Sequence, residues 1–369
     1  MNISDVHNKI EGLRCIQQDT CLLGSLRAIF EFWNNELDLT ESAILGLGFG
    51  YSFRYGYYLG SENKRCAIKF MPDIPCFHIF LDQKMLNEFA GLIGIEVVES
   101  CGSLFEEMIN NLKSEIAQSR PVMLPVNNEY LTYLPDELRY VMGRFVVCYG
   151  WSDIENKVYV VDQFIPSKPL SKYMGSLSIE SFISAIDLYP VAKDNDFRSW
   201  NFIPIQKKSE IDYIRLLKRS VANFLTNTVE EYTFKNSKVL YYSGVSGIRR
   251  FKEDLIQIVE NGIQEDEKEW LLEVRNLLIS FGGPVKARKL YVDFIDWIER
   301  KIGTQDELKE ELIKIYNTWT MVANVIFKAA NNYDIKALSR TAKMLDDLII
   351  MEENVVKNIL NIRSVFSIS

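Results

Sequence analysis

Histidine is nearly missing from this chain: its 369 residues hold two, His7 and His78. That scarcity, with no clustered Cys/His ligands, argues against a zinc site, and no metal is expected. It also withholds the usual general base from any nucleophilic side chain. No apolar run approaches the roughly 18 residues that span a bilayer. Met1–Gln18 carries Asp5, Lys9, Glu11 and Arg14 where a signal peptide would be apolar, so no membrane contact and a cytoplasmic location are expected. Basic excess is absent too. The formal net charge of −8 leaves nothing to neutralise phosphates and excludes general nucleic-acid binding. No CxxC pair occurs among Cys15, Cys21, Cys66, Cys76, Cys101 and Cys148, and reduced thiols are expected rather than a disulfide frame. Repeats and low-complexity tracts are lacking as well.

What remains is an ordinary globular composition, 47% hydrophobic and 25% charged, in a chain long enough for two domains. The cysteines all lie in the first 150 residues, and secondary-structure signals divide the chain the same way. A helix is expected from Asp19 or Thr20 as cap through Leu22, Leu26, Ile29, Phe30 and Trp33, which share one face. Thr40 and Glu41 precede a second, short helix that stops in glycines. Strands are expected at 66–70, 77–81, 95–100, 122–126, 144–151 and 157–162, the last two as an antiparallel pair about the polar turn SDIEN. A helix over 105–118 lies between strands. Beyond about Phe202 strand signals fade. Leu308, Leu312, Ile315, Trp319, Val322 and Ile326 form one helical stripe, and Leu338, Leu345, Ile349, Val356 and Ile359 another. Shorter helices fit 210–225, 247–261, 267–280 and 286–302. The fold class is therefore α+β: an α/β domain with an antiparallel sheet over 1–203, then an all-α helical bundle over 204–369.

The stretch IQQDTCLLGSL places Cys21 just inside a helix start. There, unpaired backbone N–H groups and the positive end of the helix dipole favour a thiolate and can hold an oxyanion. Gln17 and Gln18 could add side-chain amide donors. The plainer reading is a small packed cysteine, which also serves for the other five. LGLGFGYSFRYG contains GxGxG but follows a helix instead of a strand, so a dinucleotide loop is set aside in favour of a helix stop in a close-packed loop. Its aromatics (Phe49, Tyr51, Phe53, Tyr55, Tyr57 and Tyr58) either line a substrate cleft, with Tyr51 as a binding residue, or form a strand's core face. A papain-type thiol enzyme sets its base at the start of one strand and an orienting acid or amide on the next. In RFVVCYGWSD and KVYVVDQF those positions fall on Arg144 and Asp162. Arginine stays protonated and cannot act as a base, though it can hold a thiolate or pair with Asp162. Arg249, Arg250, Lys252, Lys286, Arg288 and Lys289 in the helical half read as solvated faces or as a dock for an acidic partner.

Taken in order, TCLLGSLRAIFEFW, LTESAILGLGFGYSFRYG, VMLPVNNEYLTYLP, FVVCYGWSD with VYVVD, SGVSGIRRFKEDL, GGPVKARKLYVDFI and YNTWTMVANVIFKAA resemble the butirosin biosynthesis protein H family over nearly the whole chain. The resemblance implies a papain-like N-terminal domain and a helical C-terminal region. It also implies cysteine-dependent acyl transfer, in which an acyl carrier protein or peptidyl carrier domain presents a thioester and a small amine accepts the acyl group as an amide, in natural-product (antibiotic) biosynthesis. Cys21 would be the nucleophile and Asp162 the orienting acid. No cofactor is implied for the chain itself, because phosphopantetheine enters on the carrier, and a homodimer is allowed. Two positions depart from the family pattern: Thr20 stands for a histidine before the cysteine, and Arg144 for the catalytic histidine. His7 and His78 match neither position. The Arg144 replacement opens the alternative of a non-catalytic papain-like relative that binds a carrier or an active paralogue. A peptidase or amidase ranks last, since no histidine is placed to protonate a leaving amine.

Overall fold

The computed structural model describes residues 7–59, 65–66, 83–102, 105–139, 143–167, 171–187, 197–206, 211–226, 228–234, 237–280, 283–303 and 306–362. The chain forms two compact units, the first from residues 1–44 and 82–211, the second from 45–81 and 212–369. The strands expected at 77–81 and over most of 66–70 lie outside the described residues, as does His78.

The first unit is built on a seven-stranded antiparallel sheet. Its strands are β1 (His7–Lys9), β4 (Ile95–Gly102), β5 (Val122–Val126), β6 (Arg144–Ser152), β7 (Lys157–Asp162), β8 (Tyr173–Ser178) and β9 (Phe197–Pro204), while β2 (Arg54–Leu59) and β3 (Arg65–Cys66) belong to the second unit. The order is β4-β9-β5-β6-β7-β8, with β1 also pairing β6. All nine residues of β6 are buried, the pattern of a central strand covered on both faces. The β6–β7 hairpin pairs as the sequence implies, with a register shift between Cys148 and Gly150.

Helix α1 (Cys21–Trp33) packs on β6 and β7. It starts where the sequence says it should. Thr20 is extended, and its hydroxyl accepts from the Leu23 N–H at 3.1 Å, satisfying one of the helix's orphan donors. Leu22, Leu26, Ile29 and Phe30 form its buried face. Gly24 allows a close approach, because a Cβ there would lie 2.7 Å from the Cβ of Gln163, just beyond β7. Helix α2 (Glu41–Gly48) is capped by Thr40, whose hydroxyl accepts from Ala43 N–H. It stops where Gly50, at φ 76°, donates back to Leu45 O. Helices α3 (Gln83–Leu92), α4 (Phe105–Ala117), α5 (Asp136–Arg139) and α6 (Ile179–Asp187) complete the unit.

The second unit is mainly helical: α7 (Tyr213–Ala222), α8 (Val245–Asn261), α9 (Glu265–Ile279), α10 (Pro284–Ile302), α11 (Asp306–Asn332) and α12 (Ile335–Asn361). Both long stripes face inward; Leu312, Ile315, Trp319, Val322 and Ile326 are fully buried on α11, as are Leu338, Leu345, Val356 and Ile359 on α12. The expectation of an all-α bundle needs one correction. A four-stranded antiparallel sheet, β10-β11-β2-β3, belongs to this unit, from β2 (Arg54–Leu59), β3 (Arg65–Cys66), β10 (Val229–Phe234) and β11 (Ser237–Ser243). Among the described residues β10 is an edge strand beginning with exposed Val229. Edge strands lack the apolar run that marks a buried one, so composition hid it.

Candidate active site

The segment leading into α1 is clamped before the helix begins. Gln163 is buried and grips it three times: its Oε1 accepts from Ile16 N–H (2.8 Å), its Nε2 donates to Arg14 O (3.1 Å), and its carbonyl accepts from Gln18 N–H (2.9 Å). Glu41 holds the next two residues, accepting from Asp19 N–H at 2.7 Å and from the Thr20 hydroxyl at 2.8 Å. Thr20 therefore caps the helix and anchors Glu41.

Cys21 is half-buried at the first position of α1. Burial pushes its thiol above the ordinary range. The Phe145 and Leu22 backbone N–H groups and the Arg144 charge pull the other way, while Asp162 adds to the rise. At rest the thiol is protonated. Cys15 and Cys148 are held more plainly neutral, pushed by burial to about 11 and about 12. Cys148 packs inside β6, and Cys15 Sγ donates to Tyr173 O at 3.4 Å. The side chains of Cys66, Cys76 and Cys101 lie outside the described residues.

Arg144 and Asp162 stand at the start of β6 and the end of β7 and form a buried ion pair. Arg144 Nη1 donates to Asp162 Oδ2 at 2.6 Å, with side chains 7% and 0% exposed. Nη1 also donates to Phe164 O (3.0 Å) and Nε to Asn128 Oδ1 (2.9 Å), while Nη2 takes no hydrogen-bond partner among the described residues. Asp162 accepts two further donors, the Tyr133 hydroxyl on Oδ2 (2.9 Å) and Phe164 N–H on Oδ1 (3.1 Å). Burial raises the carboxyl, and Arg144 foremost opposes it. With a guanidinium that does not deprotonate and two further donors on its oxygens, Asp162 is a carboxylate.

The structure thus brings Cys21, Arg144 and Asp162 into one site and gives the other sequence candidates partners of their own. Gln18 is buried, with Nε2 on Ile16 O (3.3 Å) and Oε1 accepting from Arg27 (3.1 Å), so it braces its own segment. Gln17 is exposed and accepts from Ser171 at 2.9 Å. Tyr51 belongs to the second unit's core: it is 2% exposed, bonds Glu352, and lies under the Arg288 guanidinium at 3.7 Å. Phe53 and Tyr55 are buried with it, the core-face reading of those aromatics. The basic residues of the helical half are largely paired inside that unit, Arg249 with Glu353, Arg250 with Glu253, Lys252 with Asp346 and Arg288 with Glu352. His7 pairs through its backbone with Ser152 in β1. Sequence reasoning missed Asn128, Tyr133, Gln163 and Glu41 as parts of the site. Asn128 and Tyr133 follow β5 in NNEYLTYLP, where two polar groups after a buried strand were the available signal.

The arrangement can present a thiol to an electrophilic carbon beside a fixed positive charge and backbone donors. Among the described residues it supplies no general base, since neither arginine nor a paired carboxylate accepts a proton readily near neutrality. Among the described residues no three His, Cys, Asp or Glu converge on a metal site, and no helix is long and apolar enough to cross a membrane. An open cleft of about 840 Å3 lined by Asn87, Glu96 and Gln206 lies at the β4 edge and includes none of these groups.

Fold and site together define an α+β protein whose helix-start thiol faces an ion pair carried on neighbouring strands. Residues 20–163 match the model of the family described as butirosin biosynthesis protein H, N-terminal. Among curated proteins no sequence matches the chain.

Proposed function

We propose that the protein is an acyltransferase in natural-product biosynthesis, in which Cys21 accepts an acyl group from a carrier-bound thioester and passes it to an amine. The observation that carries this reading is Cys21 at the first position of α1, with two backbone N–H groups and the Arg144 charge acting on its sulfur. In the first step the Cys21 sulfur bonds the acyl carbon, the carbon–sulfur bond to the carrier's phosphopantetheine breaks, and the departing thiolate takes up the proton that Cys21 gives up. A neutral amine then attacks the acyl-enzyme, the new carbon–nitrogen bond replaces the thioester, and the amine's proton returns to Cys21. Thiolate is a good leaving group, so this exchange needs less proton transfer than amide hydrolysis. That difference makes acyl transfer compatible with a site that has no histidine among the described residues.

A second reading rests on the ion pair. Arg144 fills the base position and is already bound to Asp162, which suits a non-catalytic relative that holds a carrier or an active paralogue. Intact-mass analysis after mixing with an acyl-phosphopantetheine thioester separates the two. Acyl transfer requires an adduct of the acyl mass that maps to Cys21 and is lost in Cys21→Ala. No adduct, together with unchanged product formation by Cys21→Ala, favours the binding reading.

A further inference from the structure

The carboxylate of Asp162 does not serve Arg144 alone. Its Oδ2 receives both Arg144 Nη1, at 2.6 Å, and the Tyr133 hydroxyl, at 2.9 Å. Tyr133 comes from the loop after β5 and is held from its other side, its ring stacked on Tyr173 with centroids 3.9 Å apart and planes 6° from parallel. Tyr173 is the cross-strand partner of Asp162 in the β7–β8 ladder, so both side chains rise from one face of the sheet. Tyr173 in turn lies flat along β8, its hydroxyl on Ser176 O at 3.0 Å, because Gly175 leaves its place free; a Cβ there would collide with the ring. A glycine, two stacked tyrosines and a carboxylate thus form one chain of contacts that ends at the guanidinium acting on Cys21.

We propose that Tyr133 is a positioning residue for the Cys21 site, fixing Arg144 through the shared Oδ2 of Asp162. Two consequences give it this role. Its hydroxyl shares the load on Oδ2, so that Arg144 need not turn further toward Asp162 and its Nη2 stays free of protein partners among the described residues. It also disperses the carboxylate charge, which opposes thiolate formation at Cys21. The charged groups acting on Cys21 are Arg144 from β6 and Asp162 from β7, while Glu41 is engaged by Asp19 and Thr20. The inference deepens the acyl-transfer reading but concerns the thiol itself, so it can be tested without any acyl donor.

The test is the pH dependence of Cys21 alkylation by iodoacetamide, followed by peptide mass spectrometry in the full chain. Tyr133→Phe keeps the stack and removes only the hydroxyl. Its alkylation curve should move to higher pH, with the rate at pH 8 about three- to tenfold below the parent, a fraction of one charge-assisted hydrogen bond because the hydroxyl acts on the thiol only through Asp162 and Arg144. Tyr173→Phe keeps the stack and touches no Asp162 bond, so its curve should overlie the parent's. In an Asp162→Asn background the Tyr133→Phe shift should shrink to nothing. An unshifted Tyr133→Phe curve, an equal shift in Tyr173→Phe, or a shift that persists in Asp162→Asn would each overturn the proposal. If Cys21 takes no acyl group yet these shifts appear, the positioning role stands and only the acyl-transfer reading fails.

Discussion

At the residue scale the question is what a buried arginine does beside a helix-start thiol. Arg144 cannot take the Cys21 proton, and burial keeps that proton on. The sign of the pH effect follows: a raised thiol pKa means less thiolate at every pH near neutrality. Alkylation of Cys21 in the folded protein should still climb at pH 9, beyond the value of about 8.5 where a free cysteine is half ionised. Arg144→His would set an imidazole between Cys21 and Asp162 and supply the missing base. That variant should alkylate at pH 7 at least about tenfold faster, with the midpoint moved down. If Arg144→His alkylates no faster than the parent, the thiol and the β6 start are not placed for proton transfer. The three residues of this arrangement were legible from sequence because helix cap, strand start and strand end are each marked locally. Asn128 and Tyr133 were not, since a loop side chain gives no sign of where its loop returns.

At the scale of the element, α1 is the part on which the site depends. Its start is legible in the sequence to within one residue, at Asp19 or Thr20, because a cap and a helical stripe are encoded within a few residues, and the structure selects Thr20. What holds it in place was not readable. Gln163 and Glu41 clamp residues 14–20 from far along the chain, and the need for glycine at 24 appears only when Gln163 lies against it. Gly24→Ala tests this packing. Within a free helix the change should help slightly, since alanine is the better helix former. Here the new Cβ meets Gln163 Cβ at 2.7 Å and the Gln18 side chain at 3.0 Å, so α1 must shift. The expected outcome is a loss of about 1–3 kcal/mol from overpacking, seen in the urea midpoint, with slower Cys21 alkylation. A stabilised variant would mean that the helix has slack against β7. The edge strand β10 shows the opposite limit: its exposed, charged start carries almost no local mark.

At the scale of the whole molecule, two units with separate cores make separable predictions. The helical stripes of α11 and α12 were legible because each repeats over several turns. The polar centre they enclose was not. Arg288 and Glu352 are 1% and 0% exposed and paired at 3.0 Å, with Trp319 Nε1 on the same carboxylate oxygen at 2.8 Å and Tyr51 on the other. Arg288 also donates to Ser52 O at 2.9 Å, so α10, α11, α12 and the segment before β2 meet at one ion pair. Glu352→Ala would leave a guanidinium buried without its counter-charge, and an uncompensated buried charge costs about 3–5 kcal/mol. Replacing both partners together, Arg288→Met with Glu352→Leu, removes the charges and keeps most of the volume, so the double variant should unfold at higher denaturant than Glu352→Ala alone. Denaturant unfolding followed by the fluorescence of Trp319 and its neighbours measures both. If the double variant is no better than the single one, the hydrogen bonds from Tyr51 and Trp319, not the charge pair, bind the long helices to the segment before β2.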